Sequence, residues 1–488
     1  MKINILIGLF IFLFSFTAYR LFDLSINKYN FFSQVAANQQ SYGTIDTALR
    51  GEIFIRDGLS GQLTTLVTNR VSSGSFNFYS RFYPEGSLAA HLVGFLGFQN
   101  KVQMGQYGVE EHYEPWLSGQ VGFKNFLDKV GFENGTNQGS SLISTIDKNV
   151  QFFTEAKLKE LVEKWQARGG SAVIQDPKSG AILAMASYPT YNPNSYGAYP
   201  IEIFSNPVIQ SWFEPGSSFK TITMAAALDT DSVNPNTSYF DSGEVKIGES
   251  VIRNYDLKSN GYQTMTQVLE KSINTGAIFA MRQTGQEKFL NYIERFQFGR
   301  KTDIDLAGEV SGDVKNLYTG REINFATAAF GQGVALTPLQ LVNAYSAVAN
   351  GGKLMRPYAV EKIIKPTGDS ILIRPEVVAE PINSETARTL TSMLVSVIEN
   401  GSIKQAKVPG YKIAGKTGTA QEPNPEGGYS EFLIHNLVGF GPAEDPRFTI
   451  LIKLDRPEGV ETAAVSLADT FGDIARFLLN YYGIPPRE

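Results

Sequence analysis

Three short motifs lie in order along the second half of the chain: Ser217-Ser218-Phe219-Lys220, Ser272-Ile273-Asn274 and Lys416-Thr417-Gly418-Thr419. These residue types can carry out acyl transfer from a serine with lysine, not histidine, as the base. Ser217 follows Phe213-Glu214-Pro215-Gly216 and precedes an apolar stretch at 222–228, a pattern that predicts a helix starting at or just before the serine. Free N–H groups and the positive end of the helix dipole favour negative charge there, so the backbone N–H of Ser217 is a natural oxyanion donor. Lys220, three residues on, shares a helical face with Ser217 and can reach its hydroxyl. A serine hydroxyl is a weak nucleophile until a base takes its proton. Lysine can do so only if burial or a neighbouring cation lowers its pKa, and Lys416 is the candidate cation. Ser272 offers a hydroxyl that can relay a proton, and Asn274 an amide that can hold a substrate carbonyl. Thr417 and Gly418 suit a strand edge, where the hydroxyl can bind a carboxylate and the missing side chain admits a peptide backbone. The backbone N–H of Thr419 is the second candidate oxyanion donor.

No single match carries weight. Ser25-Ile26-Asn27-Lys28 fits both serine patterns, and Ser75-Phe76-Asn77 and Ser232-Val233-Asn234 fit S-x-N. Lys-Thr-Gly, by contrast, occurs once. The order and spacing of the three motifs leave room for a helical subdomain between them, and the combination is specific where the parts are not.

The elements that must position these groups can be read around them. Residues 171–174 and 182–186 flank the turn Asp176-Pro177-Lys178-Ser179-Gly180 and predict a hairpin. Asp147 is placed to cap a helix carrying Val150, Phe153, Leu158, Leu161 and Trp165. The region 217–352 reads mostly helical, strands are expected at 411–419, 436–440 and 448–454, and an amphipathic helix at 471–481. Upstream, 52–55 and 63–68 flank Asp57-Gly58-Leu59-Ser60-Gly61 as strand, turn and strand. The polar, glycine-rich stretch 131–141 is the expected domain boundary. Helices sandwiching an antiparallel sheet, an α+β class, is the architecture this order suggests.

Length and composition set outer bounds. A chain of 488 residues should hold two or three domains. The net charge of −5 offers no basic patch for nucleic acid. The absence of cysteine excludes disulfides, thiol catalysis and cysteine-ligated metal. His91, His112 and His435 are too scattered for a metal site and read as structural, although His435 in a Ser-His-Asp triad is possible in principle. Residues 3–19 form an almost unbroken apolar run between Lys2 and Arg20, and extension to Phe22 makes a comfortable membrane span. A cleaved signal peptide is the alternative. Ser15-Phe16-Thr17-Ala18 is a poor cleavage site, so an uncleaved anchor is expected, with 21–40 continuing as a helix or stalk.

Beyond the chemistry, the wording of several segments resembles one family. Glu214-Pro215-Gly216-Ser217-Ser218-Phe219-Lys220 is similar to the E-P-G-S-T-F-K box of class B penicillin-binding proteins, and 414–421, A-G-K-T-G-T-A-Q, to their K-T-G strand. Phe330-Gly331-Gln332-Gly333, Thr337-Pro338-Leu339-Gln340, Ala349-Asn350-Gly351-Gly352 and the stretch 435–446 resemble further family segments. In the first half, 50–58 resembles the R-G-x-I-x-D-R-N-G box, and Arg81-Phe82-Tyr83-Pro84, Ala89-Ala90-His91 and Gly108-Val109-Glu110 resemble later boxes of the same non-catalytic module. Four positions depart from the pattern: Ile55 and Asp57, which put the local salt bridges of that module in doubt, Ile273 in the middle of S-x-N, and Ser218 for threonine.

The resemblance implies a serine β-lactamase-like transpeptidase domain with an antiparallel sheet flanked by helices, preceded by a small pedestal or dimerisation-type domain and a transmembrane helix. The expected extents are an anchor at 1–22, a stalk at 23–47, a pedestal at 48–135, a linker and helix at 136–170 and the transpeptidase domain at 171–488. It implies peptidoglycan D,D-transpeptidation on the outer side of the bacterial cytoplasmic membrane, in septal or lateral wall synthesis, with a slight preference for the division type. Ser217, Lys220, Ser272, Asn274 and Lys416 would be catalytic, and Thr417, Gly418 and Thr419 would bind substrate. Stem peptides and β-lactams are the implied ligands, the membrane and a membrane glycan polymerase the implied partners, with no metal, cofactor or nucleic acid. The rival readings are a D,D-carboxypeptidase or β-lactamase on the same fold, and an idle scaffold that activates a polymerase. A glycosyltransferase in the same chain is not expected, because the segment between anchor and linker is too short for one.

Overall fold

The computed structural model describes residues 2–22, 49–72, 78–99, 102–119, 138–424 and 427–486. The expected stalk and most of the expected 131–141 boundary lie outside the described residues.

The centre of the larger, later part of the chain is a five-stranded antiparallel sheet in the order Ala414–Pro423, Tyr429–Gly441, Phe448–Asp455, Gly169–Gln175, Ile182–Tyr188. Phe448–Asp455 is buried along nearly its whole length, and its sequence FTILIKLD is apolar with no strict alternation. A strand of that kind needs cover on both faces, which is why helices sandwich the sheet. Lys148–Lys164 and Ala463–Tyr481 cover one side, their Phe153 and Phe477 rings stacked 4.0 Å apart. Pro338–Ala349, Ser384–Asn400 and Lys220–Asp229 pack together on the other. The residues of Lys220–Asp229 from Lys220 to Leu228 are all buried, and such a helix can only be a core helix.

Most expected elements are present. The hairpin is Gly169–Gln175 with Ile182–Tyr188, and Asp147 caps Lys148–Lys164 by accepting from the N–H groups of Asn149 at 3.0 Å and Val150 at 3.2 Å. Two differences follow from tertiary contacts. The last helix begins at Ala463, one turn or more before its apolar period becomes visible, because Thr419 Oγ1 accepts the Ala463 N–H at 3.0 Å from another strand. The supposedly helical middle also contains four short strands, Ser238–Asp241, Glu244–Ile247, Ser250–Arg253 and Gly261–Thr264, paired as two small ladders. They are short and half exposed, so no long period marks them.

A second sheet of six strands runs Ser370–Leu372, Val360–Ile364, Ser141–Asp147, Ile53–Arg56, Leu63–Ser72, Phe78–Phe82. It joins chain segments some three hundred residues apart. The two positions that depart from the family box are absorbed locally. Ile55 is fully buried in the core, Arg56 pairs with Glu361 at 2.5 Å, and Asp57 accepts from Leu59 N and Ser60 N and from Asn149 Nδ2. The buried ion network of this region is elsewhere. Arg50 bridges Glu110 at 2.7 Å and Glu114 at 2.6 Å, while Arg81 reaches Glu110 at 2.7 Å. Two guanidiniums on the fully buried Glu110 offset its desolvation and hold its carboxyl below the usual range. Tyr481 of the last helix closes the joint: its hydroxyl accepts from Gly58 N at 3.1 Å and donates to Asp147 Oδ1 at 3.0 Å. At the other end of the chain, Lys2–Phe22 is a 21-residue α-helix. Among the residues whose side chains are described, no helix is long and apolar enough to cross a membrane.

Candidate active site

Gly216–Phe219 is one turn of 3₁₀-helix that runs directly into Lys220–Asp229. This continuity puts Lys220 Nζ 3.0 Å from Ser217 Oγ, as the spacing predicts. Ser272 comes from the turn before the helix Asn274–Thr284, and its backbone is left-handed, with φ 58°. That conformation costs a non-glycine residue about 1 kcal/mol. Its result is that both the carbonyl and the hydroxyl of Ser272 face the same amino group, that of Lys220. Lys220 Nζ donates to Ser272 O at 2.5 Å and lies 3.3 Å from Ser272 Oγ. From the far side Lys416 Nζ donates to Ser272 Oγ at 3.0 Å and to Thr417 O at 3.2 Å. The four groups form one hydrogen-bonded file: Ser217, Lys220, Ser272, Lys416.

Both lysines are about 1% exposed, and their partners here are neutral oxygens. Burial therefore dominates their titration. It pushes Lys220 well below the ordinary lysine value, helped by the neighbouring Lys416, and holds Lys416 down at about 7. A neutral Lys220 on a serine hydroxyl is a base in place, and a Lys416 that keeps its proton longer is the adjacent charge that keeps it neutral.

The edge strand Ala414–Pro423 forms one wall of a cleft of about 390 Å³ lined by Ser217, Ser272, Asn274, Thr417 and Thr419. Gly418 does not line this cleft. A Cβ at Gly418 would lie 2.1 Å from Pro215 O and 2.5 Å from Asn436 Nδ2. The close backbone approach expected of this glycine is thus made by the chain's own serine turn, which Asn436 also grips by donating to Pro215 O at 2.9 Å. Gly216 meets the same strand from the other side: its φ of +57° and the nearness of Thr419 O leave no room for a side chain. Gly418→Ala should therefore push the strand off the turn, lowering stability by about 1–3 kcal/mol and slowing Ser217 chemistry at least tenfold. Thermal unfolding and acylation rates check both, and unchanged rates would exclude this role.

The seven sequence-predicted side chains other than glycine meet around this cleft. His435 does not join them. It is fully buried with Nδ1 2.8 Å from Ser466 Oγ, and burial lowers its pKa to about 4, so it is a neutral structural group. His91 is likewise buried, with Nε2 2.9 Å from Ile203 O. Sequence reasoning missed three supports. Glu214 accepts from Gly333 N and from Tyr429 Oη, each at 2.9 Å, and thereby joins the serine turn to the tip of the strand hairpin. Asp241 and Asn254 belong to the short strands that no period revealed.

A profile of the penicillin binding protein transpeptidase domain matches residues 170–475, the span that holds all three motifs. The chain belongs to this family. The chain is 34% identical over 423 residues to stage V sporulation protein D of Bacillus subtilis (strain 168), covering 84% of this chain and 65% of that protein. It is 31% identical over 417 residues to peptidoglycan D,D-transpeptidase FtsI of Escherichia coli (strain K12), covering 83% of this chain and 68% of FtsI. It thus spans just under two thirds of the sporulation protein's length. The crystal structure of penicillin binding protein 3 from Mycobacterium tuberculosis complexed with aztreonam superposes with a TM-score of 0.80 at 28% identity, over 91% of this chain and 98% of that one. The α+β transpeptidase fold expected from the sequence is therefore that of its relatives. The departures at Ile273 and Ser218 leave the geometry intact: Ile273 is buried, and Ser218 Oγ donates to Pro215 O at 2.9 Å inside the serine turn.

Proposed function

We propose that the chain is a peptidoglycan D,D-transpeptidase acting through an acyl-enzyme on Ser217. The carrying observation is the file from Ser217 through Lys220 and Ser272 to Lys416, a base, a relay and a cation in contact with one nucleophile. Ser217 Oγ attacks the carbonyl of the penultimate D-alanine as Lys220 takes its proton. The amide C–N bond breaks, and the proton passes by way of Ser272 to the departing D-alanine amine. Lys416 and Thr417 hold the terminal carboxylate, Asn274 positions the donor, and the N–H groups of Ser217 and Thr419 stabilise the oxyanion. The amine of a second stem peptide then attacks the ester and releases Ser217. β-Lactams present the same carbonyl on a ring that cannot leave, so the acyl-enzyme persists. The similarity to the peptidoglycan D,D-transpeptidase FtsI and to a penicillin binding protein 3 solved in complex with aztreonam supports both halves of this reading.

Lys2–Phe22 spans roughly 30 Å at 1.5 Å per residue, the thickness of a bilayer core. Its side chains at Phe10, Phe12, Phe14, Phe16 and Tyr19 are exposed. A single-pass anchor with the catalytic domain outside the cytoplasmic membrane accounts for such a helix. The module at about 48–135, which contributes three strands to the six-stranded sheet, then serves as the pedestal and as the contact for a membrane glycan polymerase, and septal synthesis is the preferred setting.

The test is intact-mass and peptide-mapping analysis of the chain after exposure to a fluorescent penicillin. One adduct, mapped to Ser217 and stable for hours, is expected. Rapid release of the adduct would instead mark a hydrolase, and a folded chain that takes none would leave the scaffold reading.

A further inference from the structure

The Asn274 side chain is useful only if it is held at the cleft, and its own helix lacks the means to hold it. Asn274 is the first residue of Asn274–Thr284, and the capping position before it is Ile273, which has no side-chain acceptor. The cap comes from another loop. Asn254 Oδ1 accepts the N–H groups of Asn274 at 3.1 Å and of Thr275 at 3.2 Å, and the preceding carbonyl, Arg253 O, accepts from Asn274 Nδ2 at 3.0 Å. Two adjacent residues thus fix both the backbone and the side chain of Asn274.

Asn254 is itself immobilised. It is 3% exposed, and its Nδ2 donates to both oxygens of Asp241, at 3.1 and 2.9 Å, and to Lys258 O at 3.0 Å. Asp241 is fully buried and also accepts from Gly243 N, Asn260 N, Asn260 Nδ2 and Thr275 Oγ1, the last at 2.6 Å. So dense a shell around one carboxylate locks the loop to the start of the helix.

We infer that Asn254, held by Asp241, is a positioning residue for acyl transfer: it replaces the missing local cap and sets the Asn274 amide where the donor's carbonyl must sit. This rests on the acyl-transfer reading above. A shift of about 1 Å in a positioned group can cost about 100-fold in rate.

The test compares acylation of the full chain by benzylpenicillin, whose side chain carries an amide carbonyl, and by 6-aminopenicillanic acid, which lacks it. Asn254→Ala should slow benzylpenicillin by about 10- to 100-fold and the amine by no more than about threefold. In an Asn274→Ala background the further Asn254→Ala change should add less than about threefold for benzylpenicillin, because the group being positioned is gone. Asp241→Asn, which keeps the side-chain volume, should show the same selectivity at smaller size, and it reads the same comparison should Asn254→Ala not fold. Equal slowing of both compounds, or full additivity with Asn274→Ala, overturns the positioning role. A wild-type chain acylated by neither compound overturns the acyl-transfer reading itself, and the role with it.

Discussion

Lys220→Met should lower the rate of Ser217 acylation by a β-lactam about 10³–10⁴-fold and leave a folded chain. The lysine touches Ser217 at 3.0 Å, and among the described residues no second base stands at the serine: His435 is buried on Ser466. Lys220→Arg should be about as inactive, because a guanidinium does not give up its proton in a protein. Stability should move the other way. The folded pKa of Lys220 lies well below its unfolded value near 10.5. Between that lowered value and 10.5 the unfolded chain therefore holds a proton that the native chain has shed, and the contribution of this residue to native stability rises with pH across that window and is lost as pH falls. Methionine fills similar space without that penalty, so the variant should melt no lower than wild type at pH 7. Stopped-flow labelling and thermal unfolding measure the two effects. A variant that acylates within tenfold of wild type would sink the assignment of Lys220 as the base.

The second large effect concerns Lys416. With Lys220 neutral and Lys416 charged in the active form, the acylation rate should rise on the acid side as Lys220 loses its proton. It should fall again on the alkaline side as Lys416 loses its own, at about pH 7. Lys416→Arg, charged at every accessible pH, should abolish the alkaline fall. Lys416→Met should abolish it too and lower the maximum by about 10²–10³-fold, the usual cost of losing one preorganised electrostatic group. The same shift predicts that this residue adds stability as pH rises from about 7 towards 10, since over that range the unfolded lysine holds the proton and the folded one has shed it. Activity and stability should therefore respond in opposite directions between pH 7 and 9. A rate that stays flat across this range in wild type would refute the assigned roles.

The sign of these effects depends on burial, and burial is where sequence and tertiary structure divide. The Ser217–Lys220 contact is local. Residues three apart on one helical turn must be neighbours, so the motif alone determined that a lysine would stand on that serine. The same holds for the Asp147 cap, the Gly169–Gln175 hairpin and the apolar strands that need helices on both faces, since each depends on chemistry within a few residues. Residue types also pointed to the reaction class proposed above, because serine, lysine and a strand-borne K-T-G without cysteine leave few alternatives.

Other features depend on groups distant in the chain. Gly418 looks like an opening for substrate until Pro215 is seen to occupy it. Thr419 caps a helix that starts at Ala463, and Asn254 caps one whose own capping residue is isoleucine. Ser272 is held in a left-handed conformation that no S-x-N pattern prescribes. Sequence by itself determined the fold class and the Ser217–Lys220 pairing, because helix and strand periods are properties of neighbouring residues. Only the tertiary structure decided how far both lysines are desolvated, which glycine is filled and what holds Asn274, because those depend on which distant surfaces are pressed together.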